Sequence, residues 1–124
     1  MNRWEGTGGL TRDPDYKVSQ HGTPWLRLSV AVNDAEFDPA SRQQVVTTTY
    51  VTVLLFGHQA DTLAETLHQG DEVYVVGKLD QTEQEGRDGK TERKTRIRAH
   101  FVLPTRVRSA AHAQPAEDDP WGQR

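Results

Sequence analysis

The segment Thr47-Thr48-Thr49-Tyr50-Val51-Thr52-Val53-Leu54-Leu55-Phe56-Gly57 decides how this chain is read. Val51, Val53 and Leu55 fall on one side, and Tyr50, Thr52, Leu54 and Phe56 on the other. A period of two in a run rich in Thr, Val and Tyr predicts a strand, which Gly57 closes. Upstream, Leu26, Leu28, Val30 and Val32 alternate with Trp25, Arg27, Ser29 and Ala31, a half-buried strand over Trp25 to Asn33. Downstream the period changes. Ala60, Leu63, Ala64 and Leu67 stand at i, i+3, i+4 and i+7, so Gln59 to His68 reads as a helix, with Gly70 as its stop. A strand over Glu72 to Leu79 follows, with Val73 and Val75 opposite Tyr74 and Val76. Asp88-Gly89 within Arg87 to Lys90 predicts a hairpin turn. In the return strand, Thr91 to Leu103, Thr95, Ile97, Ala99, Phe101 and Leu103 share a face opposite Lys94, Arg96, Arg98 and His100, and Pro104 ends it.

The beginning is less regular. Gly6, Gly8 and Gly9 make Asn2 to Leu10 a weak or bent first strand. Asp13-Pro14-Asp15 and His21-Gly22-Thr23-Pro24 are turns, and the polar stretch Asp34 to Gln44, with Pro39, is expected to be a mobile loop. Three strands, a helix and two strands make an all-β chain: a five-stranded OB-fold barrel with one helix between strands 3 and 4. Periodicity alone also fits another small barrel or an α+β sheet. From Ser109 onward Trp121 is the single large apolar residue, so the expectation is a folded domain over 1–108 and a disordered acidic tail over 109–124.

One domain is what 124 residues allow. The absence of cysteine excludes disulfides and thiol chemistry and fits a reducing cytoplasm. The longest apolar run, Val51 to Phe56, is too short to span a membrane. The net charge of −3 conceals a division: residues 87–108 carry eight Lys or Arg against two Asp or Glu. A polyanion responds to that local field rather than to the sum. Catalytic motifs are wanting. His58 and His68 stand at opposite ends of the helix, Gly6-Thr7-Gly8-Gly9 lacks the Lys-Ser/Thr of a phosphate loop, and Asp118-Asp119 lies in the tail. The expectation is a non-enzyme with no metal and no cofactor.

Gly9-Leu10-Thr11-Arg12-Asp13-Pro14-Asp15, Leu28 to Asn33, Val53-Leu54-Leu55-Phe56-Gly57 with Ala60 and Leu67, Gly70 to Leu79, Asp88-Gly89-Lys90 and Ala99 together resemble the bacterial single-stranded-DNA-binding proteins over about residues 1–105. The resemblance implies an OB barrel, usually a homotetramer, that wraps single strands during replication, recombination and repair. Aromatic faces stack on any base, and Lys and Arg follow the phosphates. Carried over by position, it implies stacking by Tyr50 and Phe56, with Phe37 beside the position of a further loop aromatic. Trp25 is a candidate for stacking or, like Trp4, for packing at a barrel edge. Arg3, Arg12, Arg27, Arg93, Lys94, Arg96 and Arg98 are the cationic candidates. Two departures stand out: a family aromatic corresponds to Gln84, within acidic Glu83-Gln84-Glu85, and a family basic residue corresponds to Thr52. The tail Glu117-Asp118-Asp119-Pro120-Trp121 is similar to the family's acidic tip, which docks replication and repair proteins, although Gly122-Gln123-Arg124 follow here. The alternatives are a diverged OB module that binds a protein or co-assembles with another such protein, and an RNA-binding OB protein.

Overall fold

Why the chain closes into a barrel follows from which strand edges its side chains leave free. The structure, a computed structural model, describes residues 1–107. The elements are β1 (Trp4–Leu10), β2 (Asp15–Val18), β3 (Pro24–Asp38), β4 (Gln43–Phe56), α1 (His58–Thr66), β5 (Glu72–Glu85) and β6 (Thr91–Arg106). The sheet runs β1-β5-β6-β4-β3-β2, and β1 also pairs with β3, so β1, β5, β6, β4 and β3 close a ring. The closing pairs are Gly9↔Ala31 and Leu10↔Val30 on one side, and the parallel pairs Val53↔Ile97 and Leu54↔Arg98 on the other. The expected five-stranded OB barrel with one helix between its third and fourth barrel strands is the observed architecture. Short β2, of which only Asp15 falls in an expected turn and Tyr16 to Val18 in no expected element, is additional and lies against the start of β3.

The core is filled by inward residues of every barrel strand: Leu10, Leu26, Leu28, Val30, Val53, Leu55, Val73, Val75, Ile97 and Val102. One end is plugged by Ala60, Leu63 and Leu67, the stripe expected of the helix. Helix α1 ends at Thr66, and Leu67 is already extended, so Gly70 is not its stop. Gly70 instead belongs to the turn His68–Asp71, where its N–H donates to Leu10 O at 2.9 Å and ties the turn to the end of β1. Two glycines are required by close approach. A Cβ on Gly8 would run into the Ala31 carbonyl, and one on Gly77 into the Arg98 carbonyl, where strands cross at barrel corners.

Four expectations are corrected by the register. Asp34 to Gln44 is not a loop: β3 and β4 stay paired out to Asp38↔Gln43, leaving only 39–42 as the turn. This hairpin projects past the barrel, so both faces meet water and the alternating apolar signal of a half-buried strand is absent. β5 likewise runs on to Glu85, beyond the expected Leu79, in a second projecting hairpin closed at Gly86–Lys90. Thirdly, Phe101 and Leu103 do not share a face with Ile97. Val76 pairs with Phe101 and Gly77 with Ala99, so His100 is an extra residue, a β-bulge. After it the faces exchange: Val102 enters the core while Phe101 and Leu103 face out. Pro104 does not end β6, which continues to Arg106 through a second irregularity.

Candidate nucleic-acid interface

The outward residues of β3 and β4 form one surface. Trp25 is the cross-strand partner of Phe56 and Ala31 of Tyr50, so the odd positions of β3 and the even positions of β4 share it. The Trp25 and Phe56 rings stack, with centroids 5.8 Å apart and planes at 23°. Cations flank the pair on both sides. Lys17 Nζ of β2 lies 6.0 Å from the Trp25 ring, and the Arg98 guanidinium of β6 lies 4.5 Å from the Phe56 ring. A row of cation, indole, phenyl and cation therefore crosses four adjacent strands. Cations over aromatic faces are held by the ring quadrupole while their N–H groups remain available at the edge.

Below this row lies a groove of about 420 Å³ lined by Trp25, Arg27, Thr52, Leu54, Thr82, Gln84, Lys94, Thr95 and Arg96. Its floor is the outer face of β3 and β4 and its wall is the projecting β5–β6 hairpin. Thr52 and Gln84, the positions where the sequence departs from the family pattern, both line it. The groove thus has neutral polar side chains where a cation and an aromatic were expected.

Tyr50 stands further along β4, 73% exposed, with no ring against it among the described residues. It is six residues from Phe56, or about 20 Å at the rise of an extended strand. Phe37, on the same outward face, is 60% exposed near the tip of the β3–β4 hairpin. Asp38 fixes that tip: its carboxylate accepts from the Ala40 N–H at 3.0 Å and the Ser41 hydroxyl at 2.9 Å. The Ser41 hydroxyl, then the Ala40 N–H, hold the Asp38 carboxyl below its usual range.

The cationic candidates divide. Arg27, Lys94 and Arg96 line the groove, and Arg98 covers Phe56. Arg93 points to the opposite face of its hairpin, 3.4 Å from Glu83. Arg3 is 3.7 Å from Glu5 on the outer face of β1, and Arg12 is 3.5 Å from Asp15 before β2; none of these three lines the groove. Lys17 was missed by the sequence reading. Its only signal was a short Asp15-Tyr16-Lys17-Val18 run between two turns, whose pairing with β3 sets Lys17 beside Trp25. The tail candidates Asp118, Asp119, Pro120 and Trp121 lie outside the described residues.

Among the described residues no group of acids and histidines is arranged to hold a metal ion, and no helix is long and apolar enough to cross a membrane. The model of the single-strand binding protein family matches residues 1–105. The chain is 29% identical to single-stranded DNA-binding protein 1 of Xylella fastidiosa, across 98% of this chain and 96% of that one. It is 30% identical to the single-stranded DNA-binding protein of Thermus aquaticus across 91% of this chain, but spans 42% of that protein's length. A crystal structure of a deletion mutant of the Thermus aquaticus protein superimposes with a TM-score of 0.77 at 30% identity, covering 88% of this chain and 52% of that one. With a barrel of the same architecture and a match over nearly its whole described length, this chain belongs to the single-strand binding protein family.

Proposed function

We propose that the chain binds single-stranded DNA without sequence preference, covering it during replication, recombination and repair. The observation that carries this reading is the row Lys17, Trp25, Phe56 and Arg98 above a groove containing Arg27 and Lys94. Stacking by Tyr50, and by Phe37 on the hairpin, extends the track beyond the barrel. Every base has a face to stack, so such a surface is indifferent to sequence, and each stacked base contributes about 1–3 kcal/mol. A duplex hides those faces.

Self-association fits the remaining surface. On β5 and on β6 beyond the bulge, outside the groove lining, Tyr74 meets Phe101 edge-on, with ring centroids 6.1 Å apart, and exposed Leu103 is the cross-strand partner of Tyr74. An apolar patch that faces water in one copy is suited to cover by another copy, as a homotetramer requires. The acidic segment Glu117 to Trp121 is assigned to replication and repair partners on its sequence, with Trp121 as the apolar anchor. No finding favours the alternative of a protein-binding module.

The test is fluorescence anisotropy of labelled oligo-dT at two salt concentrations, with duplex DNA and oligo-rU as comparisons. Tight, salt-sensitive binding to oligo-dT with little to the duplex is expected. No binding at low salt would remove the proposal, and a preference for oligo-rU would redirect it to RNA.

A further inference from the structure

On the groove face of the β5–β6 hairpin, the register sets Lys78 opposite Arg98, Asp80 opposite Arg96, and Thr82 opposite Lys94. Asp80 is an acid among these cations, and it is engaged: Arg96 Nε donates to Asp80 Oδ2 at 3.0 Å. The two side chains are only 30% and 28% exposed, so salt screens this pair less than one at the open surface. The other groove-side cations are differently placed. Among the described residues no ion pair engages Arg27, Lys94 or Arg98, and Asp15, the cross-strand neighbour of Arg27, is held by Arg12.

We infer that Asp80 is an internal competitor for phosphate, which withdraws Arg96 from the backbone path of the bound strand. The phosphates then follow Arg27, Lys94 and Arg98. The inference rests on the single-stranded-DNA reading and concerns which cations that reading uses. A phosphate approaching the Arg96 guanidinium has to displace the carboxylate or lie beside a like charge, and like-charge juxtaposition is unfavourable. An arginine already neutralised by a carboxylate adds little to counterion release, so the basic residues in the groove outnumber the phosphates they neutralise. Asp80 thereby sets both the strength and the salt sensitivity of binding without needing to touch DNA.

The experiment uses the full chain, labelled oligo-dT and a series of NaCl concentrations, with melting temperature recorded for every variant. Asp80→Asn keeps the shape and removes the charge. It is expected to bind about three- to tenfold more tightly at low salt. The slope of log affinity against log salt should steepen by about 0.7, one added phosphate contact. Arg96→Gln alone frees the Asp80 carboxylate beside Lys94 and Arg98 and is expected to weaken binding, whereas the double variant, which lacks both members of the pair, is expected to return to the parent slope. Unchanged or weaker binding by Asp80→Asn at the parent slope overturns the inference, as does a slope for the double variant shallower than the parent's, which would place Arg96 on phosphate already. Either result leaves the proposed function standing. Absence of binding by the unmodified chain sinks both.

Discussion

Tyr50 and Phe56 occupy the same strand face but differ in what they already touch. Phe56 is stacked on Trp25 and covered by Arg98, so it works both in the fold and in the row above the groove. Tyr50 has no ring partner among the described residues. Tyr50→Ala is therefore expected to weaken oligo-dT binding by about 1–3 kcal/mol, the value of one stacked base, with the melting temperature unchanged. Phe56→Ala should weaken binding and also destabilise the barrel by roughly 0.5–1.5 kcal/mol from the lost ring pair, plus the buried area of its ring. Parallel thermal melts and anisotropy titrations separate the two; equal stability losses would contradict the division. Arg98→Gln is expected to make the salt slope shallower by about 0.7. The shared face of Tyr50 and Phe56 was legible in the sequence because six residues is an even step along a strand. The pairing of Arg96 with Asp80 was not, since it depends on the cross-strand register of a hairpin whose length the apolar pattern does not encode.

At the level of elements, the legible ones were those with one dry face. β3 and β4 announce themselves between Trp25 and Phe56, and α1 through its stripe, because burial imposes a period. The outer halves of both hairpins carry no such period, as their two faces are wet. The His100 bulge was invisible for another reason: one inserted residue leaves each half of β6 with a good alternation and only reverses which half-face is the core. The barrel corners offer a test of closure. Gly8→Ala and Gly77→Ala place a methyl against a neighbouring carbonyl, and each should cost about 1–3 kcal/mol of stability by denaturant titration. At the β3–β4 tip, the depressed Asp38 carboxyl stabilises the turn when ionised. That contribution is present above the ordinary aspartate value of 3.8 and is lost as pH falls through the lower value held in the folded turn. The Ala40 amide resonance should accordingly titrate with a midpoint below 3.8, whereas an ordinary midpoint would show the turn unformed in solution.

For the molecule as a whole, the closed ring is complete within the described residues. Removing residues 110–124 is expected to leave the melting temperature within about a degree of the full chain, while binding to any replication or repair partner is lost. A drop of several degrees would show that the removed residues support the barrel. The closed ring is also uneven. β3 with β4, and β5 with β6, are long antiparallel hairpins formed between neighbours in the chain, whereas two joins have just two rungs each: Gly9↔Ala31 and Leu10↔Val30 between β1 and β3, and the parallel Val53↔Ile97 and Leu54↔Arg98 between β4 and β6, the more distant in sequence. The β4–β6 join demands contacts between segments far apart in sequence, which are slow to form, and it is expected to be among the first places to open under native conditions. The Phe56–Arg98 contact spans this same join, so a strand laid across it acts as a clasp. Hydrogen exchange at whichever amides of Val53, Leu54, Ile97 and Arg98 point into this join should then slow on adding oligo-dT more than at those pointing into the hairpins, making the nucleic acid the last rung of the barrel that holds it.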